Sequence, residues 1–164
     1  MKTETAILAA GCFWGVQYYF DQVPGVIKTE VGYIGGKIEN PSYKQVSYEE
    51  TGHAEAVKIT YDRKKVSYKT LIMQFFRMHD PTQMNRQGPD VGRQYRTAIF
   101  YLSENQNKEA QKIIDKLNRE KYNGKIVTAL EKAGEFWPAE EYHQKFTEKT
   151  GRGMCHVDYV PVES

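Results

Sequence analysis

The apolar positions of this chain change their spacing in an order that predicts its elements. Ala6-Ile7-Leu8-Ala9-Ala10 is an unbroken apolar run stopped by Gly11, and residues 4–10 therefore predict a buried strand. Phe13 to Phe20 is apolar on most faces and halts at Pro24-Gly25, which predicts a short buried helix. Val26 to Ile34 is rich in β-branched and aromatic residues and closes at Gly35-Gly36, so it predicts a strand. Ala54 to Tyr61 alternates, with Glu55, Val57, Ile59 and Tyr61 in phase on one face. Ser67 can cap a helix through Tyr68, Leu71, Ile72, Phe75, Phe76 and His79 that ends before Pro81. Thr97 to Leu102 predicts a strand. Ser103-x-x-Gln106 is a capping box, followed by the stripe Ala110, Ile113, Ile114 and Leu117 of an amphipathic helix. Ile126 to Leu130 predicts another strand and Ala139 to Lys149 a last helix.

Residues 37–53 and 80–95 are polar and aperiodic and predict two long loops. Structureless segments of about 15 residues are uncommon inside a compact domain and tend to be functional. The opening order β-α-β-β-α-β is the split βαβ, ferredoxin-like pattern. The fold class expected is therefore α+β, a mixed sheet with helices and long functional loops. Residues 1–164 form one domain of ordinary size, ending in a tail from residue 150 whose Gly151 and Gly153 let it move.

Charge narrows the function classes. Lys and Arg number 23 against 21 Asp and Glu, a formal +2, so nothing demands a nucleic acid or an anionic membrane. No apolar run nears the roughly 18 residues of a membrane span. The apolar stretch after Met1 is too short for a secretory signal and Glu4 spoils its basic flank, so a cytoplasmic protein is expected. Two cysteines, Cys12 and Cys155, exclude a disulfide-dense scaffold. The histidines at 53, 79, 143 and 156 lack metal-ligand spacing, and no metal is expected. Twelve tyrosines suggest a site or interface rich in phenolic hydroxyls.

Cys12 falls between a buried strand and a helix, where unpaired N–H groups favour a thiolate. The same position also suits a small buried hydrophobe. Phe13 and Trp14 read either as core or, with an accessible Cys12, as walls of a pocket for an apolar methyl group or an electron-poor sulfur. Glu55 shares the buried face of its strand, where desolvation would keep it protonated as a general acid. Alternatively it reaches water from a frayed strand end.

Gly11-Cys12-Phe13-Trp14-Gly15 and Thr51-Gly52-His53-Ala54-Glu55 resemble the A-type peptide methionine sulfoxide reductases. So do His79-Asp80-Pro81-Thr82, Asn85-Arg86-Gln87-Gly88, Gln94-Tyr95-Arg96, Phe136-Trp137-Pro138-Ala139-Glu140 and Tyr142-His143-Gln144. The resemblance spans residue 11 to about 156. It implies an α+β enzyme, without cofactor, that reduces methionine-S-sulfoxide, free or in oxidised proteins. By that resemblance Cys12 attacks the sulfoxide sulfur and becomes a sulfenic acid. Phe13 and Trp14 hold the substrate methyl, Glu55 protonates the leaving oxygen, Tyr43 and Tyr95 bind that oxygen, and Asp90 supports the site. Cys155 stands in the place of the resolving cysteine, implying a Cys12–Cys155 disulfide reopened by thioredoxin or a similar reductant. A monomer is expected. Two positions depart from the family pattern. Met154 replaces a usual tyrosine, and Ser47-Tyr48-Glu49 stands where many members carry Cys-Ser-Gly.

Two other classes fit parts of the pattern. A Cys-His-type thiol hydrolase or acyl transferase predicts a histidine touching Cys12 and gives no role to a buried glutamate. A non-enzymatic binding module predicts two inert cysteines.

Overall fold

A computed structural model describes residues 2–153. Its centre is β1 (Thr3–Ala10), followed by α1 (Phe13–Asp21), β2 (Val26–Ile34), α2 (Tyr43–Tyr48), β3 (Ala54–Asp62) and α3 (Tyr68–Met78). Then come the short strands β4 (Arg86–Gln87) and β5 (Asp90–Val91), β6 (Thr97–Tyr101), α4 (Glu104–Leu117), β7 (Ala129–Lys132), β8 (Trp137–Pro138) and α5 (Phe146–Thr150). Six strands form one sheet in the order β7-β6-β1-β3-β2-β8, while β4 and β5 pair as a separate hairpin. β6-β1-β3-β2 is antiparallel throughout, and β7 joins β6 in parallel after the α4 crossover. This is the expected α+β split βαβ arrangement.

The continuous apolar run of β1 is explained by burial on both faces. Ala6, Leu8 and Ala10 join the large core that also holds Phe13 and Phe20 of α1, Leu71, Ile72 and Phe75 of α3, and Ala110, Ile113 and Ile114 of α4. Ile7 and Ala9 join a smaller core with Ile34, Ala54, Ala56, Ala98 and Phe100 on the opposite face. The alternation of β3 sends Val57, Ile59 and Tyr61 into the large core.

The structure corrects four expected elements. Residues 37–53 are not all loop, because Ser42 closes a capping box on Gln45 and starts α2. The segment 80–95 holds the β4–β5 hairpin and a single turn of 3₁₀ helix at Arg93–Tyr95. The strand expected at Ile126–Leu130 forms three residues later, as β7. The helix expected from Ala139 to Lys149 is replaced by a turn at Glu141–His143, an extended Gln144 and the short α5. Lys145 there adopts a left-handed conformation, φ +59, which interrupts any continuous helix. Side-chain bonds from this segment to β2 compensate for the missing helical ladder, as described below. Thr150, the first residue of the expected tail, ends α5, and apart from it and Gly151, Arg152 and Gly153 the tail lies outside the described residues.

Gly32 lets the C-terminal segment reach β2. A Cβ there would come within 2.4 Å of the Trp137 carbonyl and 2.5 Å of the Phe136 ring. β8 therefore pairs with Gly32 and Tyr33, and the chain that follows is laid across the end of the sheet where α1 begins.

Candidate active site

Cys12 is the residue on which α1 begins, reached from β1 through Gly11 at φ +93. Only 8% of it is exposed. The first N–H of that helix, on Phe13, donates to Glu55 Oε1 across 3.3 Å. Glu55 comes from β3 and is 1% exposed, so the water-reaching alternative does not hold. Its Oε2 is buried with no hydrogen-bond partner among the described residues. Burial pushes its pKa up to about 8; the Phe13 bond works against that rise and the charge of Asp90 adds to it. Near neutral pH this carboxyl is largely protonated.

Tyr43 opens α2, and Tyr95 ends the turn that leads into β6. Burial raises both phenol pKa values, and the charges of Glu55 and Cys12 raise them further. Both hydroxyls thus lie within electrostatic reach of the thiol and the acid. Asp90, on β5, keeps Oδ2 buried and unpartnered among the described residues. The fold brings together Cys12, Phe13, Trp14, Tyr43, Glu55, Asp90 and Tyr95 from five separate segments. Cys155 lies outside the described residues. The described chain ends close by, however: a Cβ on Gly153 would stand 3.0 Å from Trp14 Cβ.

Four residues without an expected role complete the walls. Tyr33 is the cross-strand partner of Glu55, and its ring lies 5.7 Å from that of Phe13. Trp14 Nε1 donates to His143 Nδ1 at 2.8 Å, and the indole stacks on Phe146 at 3.9 Å. The His143 ring is 4.4 Å from Tyr43 and 5.3 Å from Phe13. Burial lowers the His143 pKa, with Glu140 opposing. Glu140 accepts from Tyr33 and from the Tyr43 backbone. His143 and Glu140 stand inside motif blocks quoted from the sequence, yet no periodicity marks them out.

A thiol at a helix start, a protonated carboxyl, two phenols and an aromatic wall suit a ligand with one polar oxygen and one apolar arm. Comparison with known proteins decides among chemistries. A family model described as peptide methionine sulfoxide reductase matches residues 4–164. The chain belongs to that family. A peptide methionine sulfoxide reductase MsrA of Methanoculleus marisnigri is 50% identical over 155 residues, 94% of each chain. Mxr1 from Saccharomyces cerevisiae in reduced form superimposes with a TM-score of 0.88 at 36% identity, covering 93% of this chain and 88% of that one. Mxr1 in complex with Trx2 matches with a TM-score of 0.64 at 25% identity, covering 88% and 85%. The methionine sulfoxide reductase described here is thus an A-type enzyme that reduces methionine sulfoxide at the expense of thiols. The hydrolase alternative is not favoured. His53 and His79 turn their ring nitrogens to Gly36, Ile38, Phe75 and Thr97, and His143 accepts from Trp14. Among the described residues of the reductase, no group of three or more His, Cys, Asp or Glu side chains could hold a metal ion.

Proposed function

We propose that Cys12 is the nucleophile and Glu55 the general acid in the reduction of methionine-S-sulfoxide. The observation that carries this reading is the buried Glu55 carboxyl, bonded to the first N–H of the helix that begins at Cys12. The Cys12 thiolate attacks the sulfoxide sulfur and gives it two electrons. The S–O bond breaks, and the oxygen, protonated by Glu55, ends on Cys12 as a sulfenic acid while methionine leaves. Phe13 and Trp14 hold the methyl group, Tyr43 and Tyr95 donate to the oxygen, and the Asp90 charge helps keep Glu55 protonated.

Cys155 then attacks the sulfenic sulfur, water leaves, and a Cys12–Cys155 disulfide forms. Only Met154 separates Cys155 in sequence from Gly153, the glycine beside Trp14. A thioredoxin-like dithiol reopens the bond by exchange, a partner suggested by the Mxr1–Trx2 complex. In this reading the protein works as a monomer. Recycling both thiols fits a reducing, cytoplasmic setting.

The test is reduction of dabsyl-methionine sulfoxide with dithiothreitol and with thioredoxin. Cys12→Ser should abolish both activities with an unchanged circular dichroism spectrum. Cys155→Ser should reduce one sulfoxide per molecule and lose thioredoxin-driven turnover. Normal cycling of Cys155→Ser with thioredoxin would remove Cys155 from the mechanism.

A further inference from the structure

We propose that Glu140 is a positioning residue for the reaction, holding Tyr43 in the orientation in which its hydroxyl meets the sulfoxide oxygen. This rests on the role of Tyr43 given above. Both carboxylate oxygens of Glu140 are committed. Oε1 accepts the Tyr33 hydroxyl at 3.0 Å, and Oε2 accepts the Tyr43 backbone N–H at 3.0 Å. Burial pushes the Glu140 pKa up, but the bonds from Tyr43 and Tyr33 outweigh it and hold the carboxyl below its ordinary range. Glu140 is therefore charged near neutral pH, and hydrogen bonds to a charged acceptor are the stronger kind.

Tyr43 needs such an anchor. It is the first residue of a six-residue helix in which Val46 is the buried residue, and helices this short are marginal without outside support. The capping box of Ser42 and Gln45 closes within that helix. Glu140 instead ties the helix start to a different part of the molecule. Its own place is fixed by the pairing of β8 with β2 and by Ala139 N–H, which donates to the Val31 carbonyl at 2.9 Å. The second arm reaches Tyr33, the cross-strand neighbour of Glu55 and ring neighbour of Phe13. One carboxylate thus joins β2, α2 and the C-terminal segment around the reacting groups, and it acts through the residues it holds.

Single-turnover reduction by Tyr43→Phe, Glu140→Ala, Glu140→Gln and the double variant Tyr43→Phe/Glu140→Ala tests the assignment. Glu140→Ala should slow the chemical step about tenfold, the usual scale for losing a bond to a charged group, with KM changed less than about threefold. Glu140→Gln keeps one acceptor oxygen and should lose less. On the Tyr43→Phe background, removing Glu140 should cost under about threefold, because the group it positions has gone. Equal losses in both backgrounds, or a loss confined to KM, would overturn the positioning role while leaving Tyr43 in place. Tyr43→Phe at the wild-type rate would overturn the role of Tyr43 and this proposal together. Circular dichroism checks folding, and if Glu140→Ala is unfolded the same comparison is made with Glu140→Gln.

Discussion

The sheet with its helices and the segment from Ala133 to Gly153 close on the same site, but they are held by different forces. In the first, Phe13, Leu71, Phe75 and their neighbours are fully or almost fully buried and the stabilising interaction is apolar contact. In the second, side-chain hydrogen bonds are added to a few apolar contacts, those of Phe136, Ala139 and Phe146. Gln144 imitates a strand, accepting Val31 N–H at 3.0 Å and donating to the Val31 carbonyl at 3.0 Å. Lys145 N–H donates to Gln17 Oε1 at 2.7 Å, while its ammonium meets Asp21 at 2.7 Å. In the proposed mechanism the first supplies Cys12 and Glu55, and the second supplies the partners of Trp14 and Tyr43.

Four substitutions or conditions sharpen or break this contrast, taken from the largest effect downward. Glu55→Gln should slow sulfenic acid formation by about 10²–10⁴-fold, the range of general acid catalysis, with substrate binding less affected. Single-turnover rates within threefold of wild type would end the acid role. Phe75→Ala, in the core, should cost about 3–5 kcal/mol of stability by denaturant unfolding, with activity per folded molecule retained. Gln144→Ala should cost less, about 1–3 kcal/mol, by leaving the Val31 N–H without its partner, while the Val31 carbonyl keeps its bond from the Ala139 N–H. Its KM for the sulfoxide should rise before kcat falls, because Gln144 adjoins His143. A change in kcat alone would show that the two regions do not divide the work this way.

Per pH unit, the smallest effect follows from titration of Glu55. Its folded pKa of about 8 lies above its ordinary 4.5, so the folded state binds the extra proton between those values. Stability must then fall as pH rises from about 4.5 to about 8, by roughly 1 kcal/mol per unit, and level off above. Glu55→Gln should remove that slope, so its melting temperature should gain on wild type as pH rises. Parallel curves would show that Glu55 titrates normally.

What the sequence disclosed follows the same division. Strands and long helices came through because burial imposes a period: the phase of Glu55 with Val57, Ile59 and Tyr61 foretold its desolvation. Ser103-x-x-Gln106 was legible because the stripe of α4 follows it. Ser42-x-x-Gln45 is the same signal, but a helix with Val46 as its buried residue has no stripe to confirm it. Glu140, His143 and Gln144 bond partners 97 to 129 residues distant. Such contacts leave no local pattern, and only the fold reveals them. Cys12, Phe13 and Trp14 were marked by their place between a strand and a helix, whereas Tyr43, Asp90 and Tyr95 were named through motif resemblance, which carries no geometry of its own.

The bond from the Trp14 indole to His143 has an electrical consequence. The indole hydrogen occupies the lone pair on Nδ1, which is where a second imidazole proton would have to go. While that contact lasts, the ring can keep a hydrogen on Nε2 alone and carries no charge. The indole hydrogen and an acid proton therefore compete for one lone pair: protonating Nδ1 means releasing the indole. The aromatic wall beside Cys12 thus gains no positive charge at His143 while the contact lasts, and the bulk of the tryptophan is steered by a neutral neighbour.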